Sequence, residues 1–358
     1  MRYYDLSLYK PDDKDTKTPI YTWTSHPKGK FDPCALGISF DAMVCSMDTP
    51  AGGTPIRLTG IHQEDLKQST RFGQHIDSNG KLQPGLLAVL KGGMEQGLPL
   101  ANPAQKGVLL RGQILQSFGN WEGTDMTLDF VVYGASFTTN NPGDIVLNWK
   151  AGTPLSQALQ DCLKVAYPDT PVTIQISSKL VMSSDDPSHH YTLESLSQHV
   201  RELTQGKFLG DNYPGVSIVM QPGLINVFDG TNVDQQTPKQ INFTDLIGQP
   251  TWIGLGTMQM KLVMRGDLNV GGLVTMPKGL SSAPGQVETT AASYSGNVNA
   301  DMLFQGKFQI VKIRHIGESR SPDGAAWCTV VDCVSTNVTA GQSQQQTTQP
   351  AQQGQGNG

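Results

Sequence analysis

The richest group of ionisable side chains in this sequence is Asp185-Asp186-Pro187-Ser188-His189-His190, with Glu194 and His199 close behind. Carboxylates beside imidazoles can bind a divalent metal or transfer protons in general acid–base catalysis. Pro187 and the two serines before Asp185, however, predict a flexible loop that leads into a helix, and such a loop does not fix the geometry of a site. Acidic residues are also stabilised near a helix N-terminus. We therefore interpret this group as a solvated loop.

A second set of acids could supply the carboxylate pair of a glycosidase. Asp125 and Asp129 lie four residues apart in a predicted strand, so they share a face at a separation of ~13 Å, and Glu122 lies in the adjoining loop. That separation is too large for joint acid–base chemistry unless a partner strand contributes. The solvated side of a sheet accounts for these acids.

Standard catalytic motifs are missing. The sequence has no GxxxxGK[ST] phosphate loop, GxSxG elbow, HExxH helix or EF-hand loop. Gly254-Leu255-Gly256 is followed by Gln259 where a dinucleotide fingerprint needs glycine. The cysteines form no CxxC pair, so we expect reduced thiols that are buried or half-buried: Cys34, Cys45, Cys162, Cys328 and Cys333. We predict no catalytic residue, no metal and no cofactor.

Composition favours many short strands. Charged residues make up 16% of the chain, against about a quarter in an average domain, while 39 glycines and 22 prolines supply turns. The net charge of 26 − 31 = −5 argues against a basic surface that binds nucleic acid. No apolar run approaches the ~18 residues of a membrane span, and the N-terminus lacks the apolar core of a signal peptide. We therefore expect no membrane anchor.

Residues 1–150 show the period-two alternation of strands with one buried face, from Tyr4 to Leu8 and over Leu36–Val44. The clearest hairpin joins Val108–Ser117 to Asp125–Tyr133. Phe118–Gly123 is polar and rich in glycine, which predicts a loop between the two strands. This region is predicted to form a first antiparallel β-barrel or sandwich.

The pattern changes over residues 151–240, where we predict an α+β module. Thr153 and Pro154 begin one helix, and a second runs from a Thr192 cap to a Gly206 terminator. Val172–Ile176 alternates as a strand between the helices, and Pro222 and Gly223 suit a tight turn.

From residue 241 to 338 strand signals return and predict a second barrel. Met258–Met264 alternates, and so does Phe308–His315, with His315 expected at a strand edge and bonded to a carbonyl. Pro277–Asn299 is predicted to be an exposed excursion. Residues 339–358 are predicted to be a disordered tail, because the last 18 residues hold eight glutamines and no charge.

Three segments carry a family resemblance. They are Gly107–Ile114 with Glu122–Leu128, Leu246–Thr251 with Leu268–Val274, and Val311–Glu318 with Trp327–Thr329. In this order and spacing they resemble the strand–loop hairpin, the IGxPT…LxVGxxV segment and the VxxIxHxGexR…WxT hairpin of baseplate central hub proteins of contractile-tailed bacteriophages. The resemblance covers under half of the chain and includes no residue of the α+β module.

The resemblance implies a structural virion protein rather than an enzyme. It implies two small tube-protein-like β-barrels per chain, so that a homotrimer forms a pseudo-sixfold ring joining the hexameric tail tube to the trimeric central spike. Other baseplate proteins are implied partners, DNA passes through the ring without specific binding, and assembly takes place in the host cytoplasm. Trp327 is large enough to plug a barrel end, and Arg314 and Arg320 are candidate interface salt-bridge partners.

Two other functions remain open at this point. One is a tail-associated hydrolase of cell wall or polysaccharide that uses Asp125 or Asp186. The other is a glycan-binding receptor module, which needs exposed aromatic side chains; the sequence offers Trp23, Trp121, Trp149, Trp252 and Trp327. A related contractile device, such as a secretion apparatus, could use the same hub.

Overall fold

The fold is given by a computed structural model. It describes residues 1–13, 16–48, 53–95, 102–134, 144–168, 170–211, 213–231, 236–254, 256–277, 304 and 306–336. The predicted tail at 339–358, and the predicted excursion beyond residue 277, lie outside the described residues.

Strands dominate the described residues, which form twenty strands and three α-helices. The strands are β1 (Arg2–Tyr9), β2 (Tyr21–Thr24), β3 (Gly37–Val44), β4 (Thr54–Thr59), β5 (His75–Ile76), β6 (Leu82–Gln83), β7 (Leu87–Met94), β8 (Gly107–Glu122), β9 (Asp125–Tyr133), β10 (Ile145–Trp149), β11 (Val172–Gln175), β12 (Asp186–His190), β13 (Ser217–Gln221), β14 (Leu224–Phe228), β15 (Lys239–Gln240), β16 (Thr251–Gly254), β17 (Thr257–Val263), β18 (Leu273–Thr275), β19 (Lys307–Glu318) and β20 (Trp327–Ser335). The helices are α1 (Gln63–Lys67), α2 (Leu155–Ala166) and α3 (Leu193–Thr204). Among the described residues no helix has the length and hydrophobicity needed to cross a bilayer.

One large sheet runs through both ends of the chain. Its strand order is β16-β17-β20-β19-β3-β4-β9-β8-β7-β1-β2, with β18 also paired to β19 and β15 to β18. The N-terminal strands β1 to β9 and the C-terminal strands β15 to β20 thus belong to a single hydrogen-bonded path, which crosses from one part to the other between β3 and β19. The prediction of a mainly β chain with an α+β insert is confirmed.

The N-terminal strands curl around one core. Alternating side chains such as Leu6 on β1, Phe40 on β3 and Phe130 on β9 lie in the same hydrophobic cluster, although their strands are far apart in the sheet. Trp23 on the end strand β2 contacts Phe130 across that cluster, with 6.2 Å between ring centroids. A sheet whose distant strands share one core must be strongly curled, as the predicted period-two pattern requires.

The middle of the chain has a core of its own. Helices α2 and α3 pack with two small sheets, β10-β12 and β11-β14-β13. The Thr192 hydroxyl accepts a hydrogen bond from the Ser195 N–H (3.2 Å), and Gly206 adopts φ +67°, which confirms the predicted cap and terminator of α3. Helix α2 begins at Leu155 with Pro154 rather than Thr153 at its N-cap, because Thr153 makes no capping bond. Strand β10 contributes to this core although it precedes residue 151; the domain bounds themselves stay a prediction.

Two predicted loops are strands. Residues Phe118–Glu122 continue β8, and only Gly123 and Thr124 form the turn to β9, with Gly123 at φ +61°. A turn of two residues with a left-handed glycine keeps the hairpin paired to its tip, so polarity there marks an exposed strand rather than a loop. Asp186–His190 forms β12 because it pairs with β10, which the local sequence does not reveal.

The alternation in β19 also differs from the prediction. A bulge at Val311 shifts the register between Ile310 and Lys312. Because a bulge adds one residue, it reverses which side chains face the core. Two buried residues therefore precede the bulge, Phe308 and Ile310, and two follow it, Ile313 and His315. Strict period-two alternation would place these two pairs on opposite faces of the sheet.

Candidate functional site

The Asp185–His190 group and its neighbours form a hydrogen-bonded network of the middle module. The His190 imidazole lies between the Ser195 and Ser188 hydroxyl groups, at 3.1 Å and 3.0 Å. Burial, followed by the nearby His199, lowers the pKa of His190. The Asp185 carboxylate accepts the Ala151 N–H at 2.8 Å.

Two other histidines of this group lie close to carboxylates. His199 Nε2 lies 3.4 Å from Asp186 Oδ2, and His189 Nε2 lies 2.7 Å from Asp144 Oδ1. Within the described residues no three His, Cys, Asp or Glu side chains are arranged to hold a metal ion. These contacts connect β12 to β10 and to α3.

The structure separates Asp129 from the other two acids of the predicted set. Asp129 is buried, and its carboxylate accepts a hydrogen bond from Arg57 Nε at 2.6 Å. The carboxylate is therefore already engaged in a cross-strand ion pair. Asp125 and Glu122 are exposed and face each other at the tip of the hairpin. Asp129 therefore forms no carboxylate pair with Asp125 or Glu122.

Other candidates have structural surroundings. Gly254 ends β16 and Gly256, at φ +72°, precedes β17, so this sequence forms a hairpin turn and not a nucleotide loop. Cys34 is exposed, contrary to the expectation of a buried or half-buried thiol, because it lies in a loop held by Asp32. The other four cysteines are buried or half-buried as predicted.

The N-terminal and C-terminal strands are joined by direct strand pairing. Strand β3 pairs antiparallel with β19 over six residue pairs, from Val44 opposite Ile313 to Ser39 opposite Glu318. On the outer face, Arg314 binds Asp41 in a two-pronged ion pair, with Nε to Oδ1 at 2.7 Å and Nη2 to Oδ2 at 2.5 Å. The predicted role of Arg314 as a salt-bridge residue is thus realised within the chain.

His315 lies in the centre of this join, opposite Ala42, and is buried. Its Nδ1 atom is 3.0 Å from the Thr329 hydroxyl oxygen. Burial lowers the pKa of His315 to about 4. The prediction of a strand-edge imidazole bonded to a carbonyl is wrong, because β19 has a strand on each side here and the bonding group is a hydroxyl.

Trp327 begins β20 yet belongs to the N-terminal core. Its ring meets Phe40 edge to face, with 5.5 Å between centroids. Its indole N–H donates to the Gly93 carbonyl at 3.0 Å, so the buried polar atom is satisfied. Trp327 therefore fills the end of the N-terminal core from the C-terminal strands.

Backbone packs directly on backbone at a second point of the join. A Cβ atom on Gly107 would lie 2.4 Å from the Gly266 carbonyl oxygen, which only glycine permits. The Gly266 N–H donates to the Gln105 carbonyl at 2.9 Å. These glycines allow the start of β8 and the turn after β17 to approach closely.

A buried ion network adjoins this contact. The Arg265 guanidinium binds Asp267 (Nε to Oδ1, 2.7 Å) and Asp245 (Nη1 to Oδ2, 3.3 Å), and Gln105 Nε2 donates to Asp245 Oδ1 at 2.9 Å. Burial alone would raise the pKa of Asp267, but the hydrogen bonds and charge of Arg265 hold it below its usual value. The charges of the C-terminal strands are thus linked by Gln105 to the N-terminal strands.

Two further arginines fix the β19–β20 loop. Arg2 on β1 donates to the backbone carbonyls of Glu318 (2.7 Å), Ser319, Ser321 and Asp323. Arg320 donates to the carbonyls of Pro33 (3.1 Å) and Ala35. Both arginines line an apolar cleft of about 580 Å³ at the join. Since their donors bond backbone carbonyls, they anchor the loop.

The two ends of the chain contain the same five-stranded unit. We name β3, β4, β7, β8 and β9 the first repeat, and β16 to β20 the second repeat. The spatial orders are β3-β4-β9-β8-β7 and β16-β17-β20-β19-β18, and every neighbouring pair is antiparallel in both. The repeats differ beyond the fifth strand, where β7 has antiparallel β1 and β18 has parallel β15.

Details of register support the equivalence of the repeats. The fourth strand bulges between Ile114 and Gln116 in the first repeat and between Ile310 and Lys312 in the second. The residue before each bulged segment is a buried glutamine: Gln113 Nε2 donates to the Gly85 carbonyl at 3.0 Å, and Gln309 Nε2 donates to the Gly271 carbonyl at 3.3 Å. The two repeats therefore share a strand order, a bulge and a buried side-chain hydrogen bond.

Sequence reasoning missed this glutamine pair and the buried Arg265. A signal was present: Gly85-Leu86-Leu87 and Gly271-Gly272-Leu273 each precede a Gln-Ile pair in the next long strand. These shared patterns are too short to stand out in the sequence until strand pairing aligns the two repeats.

No protein-family model matches this chain, and no curated protein does. Solved structures that match include the 43 kDa tail protein of prophage MuSo2 from Shewanella oneidensis, at 9% identity over 94% of this chain and 97% of that one, with a TM-score of 0.46. The E. coli c3393 protein, a type VI secretion system component with structural similarity to the T4 bacteriophage tail proteins gp27 and gp5, matches at 9% identity over 84% and 74%, with a TM-score of 0.46. A tail protein from Neisseria meningitidis MC58 matches at 8% identity over 95% and 99%, with a TM-score of 0.45.

Proposed function

We propose that this chain is the central hub of a contractile-tail baseplate or of a related contractile device. Three copies form a ring of six similar β-units, which joins a hexameric tail tube to a trimeric central spike. Residues 1–150 and 241–338 supply the two units, residues 151–240 add the α+β module, and residues 339–358 form a tail.

The observation that carries this proposal is the repeat. A ring of identical subunits that contacts a sixfold tube on one side and a threefold spike on the other needs six similar surfaces and three distinct ones. Two five-stranded units in one chain supply both, because three copies then present six units while keeping threefold symmetry. The sequence motifs of the hub family lie in the first and second repeats, in β8, β9 and β18 to β20, and just before β16.

A rigid connection between the units suits this role. The β3–β19 pairing, the Gly107–Gly266 contact and Trp327 hold the repeats in one fixed orientation. A ring that passes DNA must not hold its phosphates, and the net charge of −5 is in keeping with weak binding to DNA. In this proposal the protein is a structural component of the virion baseplate, assembled in the host cytoplasm.

The test is the oligomeric state and particle shape of the purified full-length protein. Native mass spectrometry should give a trimer, and negative-stain electron microscopy should show threefold rings with a central hole. A protein that stays monomeric at every concentration and does not co-assemble with tube or spike protein would contradict the proposal.

One observation favours a second candidate, a glycan-binding module. Trp121 is 61% exposed at the tip of the β8–β9 hairpin. Exposed aromatic rings can stack on sugars. A glycan-array signal that is lost in Trp121→Ala and kept in Trp23→Phe would support this function over the hub.

A further inference from the structure

The join inside the chain connects one repeat to the next in a directional way. The outer edge of β3, the first strand of the first repeat, pairs with Ile313–Glu318 of β19, the fourth strand of the second repeat. This part of β19 lies beyond the Val311 bulge, past the residues that β18 pairs with. A contact of first strand to fourth strand is heterologous. The first repeat therefore keeps an unused fourth-strand edge, and the second repeat keeps an unused first-strand edge.

Both unused edges are present in the sheet: β16 is an end strand, and β8 extends beyond the residues that β7 pairs with. Strand β16 is the equivalent of β3, and β8 is the equivalent of β19. In the part of the chain that the structure describes, no strand pairs with the outer edge of Thr251–Gly254 or of Phe118–Glu122. The preceding segment contacts β8 at Ser117, whose hydroxyl accepts the Gly73 N–H at 2.7 Å, and Leu66 covers one face of Gly119.

The backbone of β8 is oriented to accept another strand. In a hairpin with a two-residue turn, Glu122 and Asp125 exchange backbone hydrogen bonds. Alternation along the strand then directs the N–H and C=O groups of Gly119 and Trp121 away from β9. Such a row of unpaired groups is a template for strand addition.

The repeats also give the register of the missing contact. The bulges align Ile310 with Ile114, so Asn120 occupies the position of Ile316, and the pairings of β4 and β17 align Asp41 with Thr251. Since Asp41 faces Ile316 in the internal join, Thr251 should face Asn120.

The side chains in this register are complementary. On the outer face, Ile253 comes opposite Phe118, which is 44% exposed in the single chain. This apolar contact takes the place of the Arg314–Asp41 ion pair of the internal join. It also explains why the aromatic side chain of Phe118 is exposed in the single chain.

We propose that β16 of one copy pairs antiparallel with Phe118–Trp121 of β8 in the next copy, with Thr251 opposite Asn120. The contact is strand addition between two copies of this chain, and it repeats the β3–β19 join between chains. It rests on the proposed trimeric hub and names the surfaces that close its ring.

Disulfide trapping tests the register. The Ser319 N–H bonds the Ile38 carbonyl, which makes Ser39–Glu318 and, two residues on, Asp41–Ile316 non-hydrogen-bonded pairs. Their equivalent, Thr251–Asn120, should then have Cα atoms about 4.5 Å apart, within the range for a disulfide of about 4.4 to 6.8 Å. Asn120→Cys with Thr251→Cys, in a Cys34→Ser background, should give covalent dimers and trimers under mild oxidation that revert on reduction.

The control is Glu122→Cys with Thr251→Cys, which is two residues out of register and should crosslink at least about tenfold more slowly, because the Cα separation rises to about 7–8 Å. A protein that is trimeric by native mass spectrometry but crosslinks no faster in the matched pair would overturn this contact and leave the hub proposal standing. A protein that remains monomeric would overturn both.

A backbone variant gives an independent reading. Trp121→Pro removes one outward N–H without removing a bond to β9, whereas Trp121→Ala keeps that N–H. Loss of one hydrogen bond at each contact should raise the dissociation constant of the trimer about tenfold more in the proline variant than in the alanine variant. Equal dissociation constants for the two variants would count against strand addition at this edge.

Discussion

Acidification should weaken the join between the two repeats through His315. The folded chain buries this imidazole between β3 and β20 and lowers its pKa to about 4 from the ordinary value of 6.5. Between these two values the unfolded chain binds a proton that the folded chain excludes. The stability that depends on neutral His315 is therefore fully present above pH 6.5 and is lost progressively as the pH falls toward 4.

The size of the effect follows from the two pKa values. The whole shift corresponds to about 3 kcal/mol of unfolding free energy. Between pH 7 and pH 5, where only the unfolded chain takes up the proton, about 2 kcal/mol should be lost. This is a large share of the ~5–15 kcal/mol that stabilises an ordinary domain.

Urea unfolding followed by tryptophan fluorescence at pH 7 and pH 5 measures this loss. His315→Gln keeps a polar group facing Thr329 but does not titrate, so it should lose about 2 kcal/mol less than the wild type on acidification. The comparison cancels contributions of other buried histidines, such as His26 and His190, whose pKa values are also lowered by burial. His62→Gln, at an exposed position, controls for removal of an imidazole. Equal losses in the wild type and His315→Gln would refute the reasoning.

The join and the repeat make three further predictions. Trp327→Ala should lower the unfolding free energy by about 3–5 kcal/mol, because it leaves a large cavity and an unpaired carbonyl, whereas Trp121→Ala, at an exposed ring, should change it by less than about 0.5 kcal/mol; chemical denaturation of both variants decides. Gly107→Ala should cost about 1–3 kcal/mol because its Cβ meets backbone, while Gly324→Ala, which has no atom within 4 Å of its Cβ, should be neutral in the same assay. Gln309→Leu should cost about 1–3 kcal/mol by leaving a buried carbonyl unsatisfied, and a melting temperature equal to that of the wild type would contradict the role given to this side chain.

Much of the local structure could be predicted from the sequence. Period-two alternation located β1, β3 and β17, and the Thr192 cap and Gly206 terminator located α3. These signals are readable because the residues that produce them are neighbours in the chain. The hub motifs could be recognised for the same reason, since each is a short run of residues.

Local patterns failed where a distant strand decides the structure. Asp186–His190 reads as a loop and becomes a strand because β10, some 40 residues earlier, offers it an edge. His315 reads as an edge residue and becomes a core residue because β3 pairs with its outer side. Neither outcome depends on the residue's own neighbours in the sequence.

The sequence by itself therefore determined most of the segments that form strands or helices and which face of most of them is apolar. Only the tertiary structure decided which strands are adjacent, that the five-stranded unit occurs twice, and which of its edges remain unpaired. The physical reason is that alternation specifies a buried face through side chains, whereas the choice of a neighbouring strand is made by backbone hydrogen bonds, which are the same for every residue except proline.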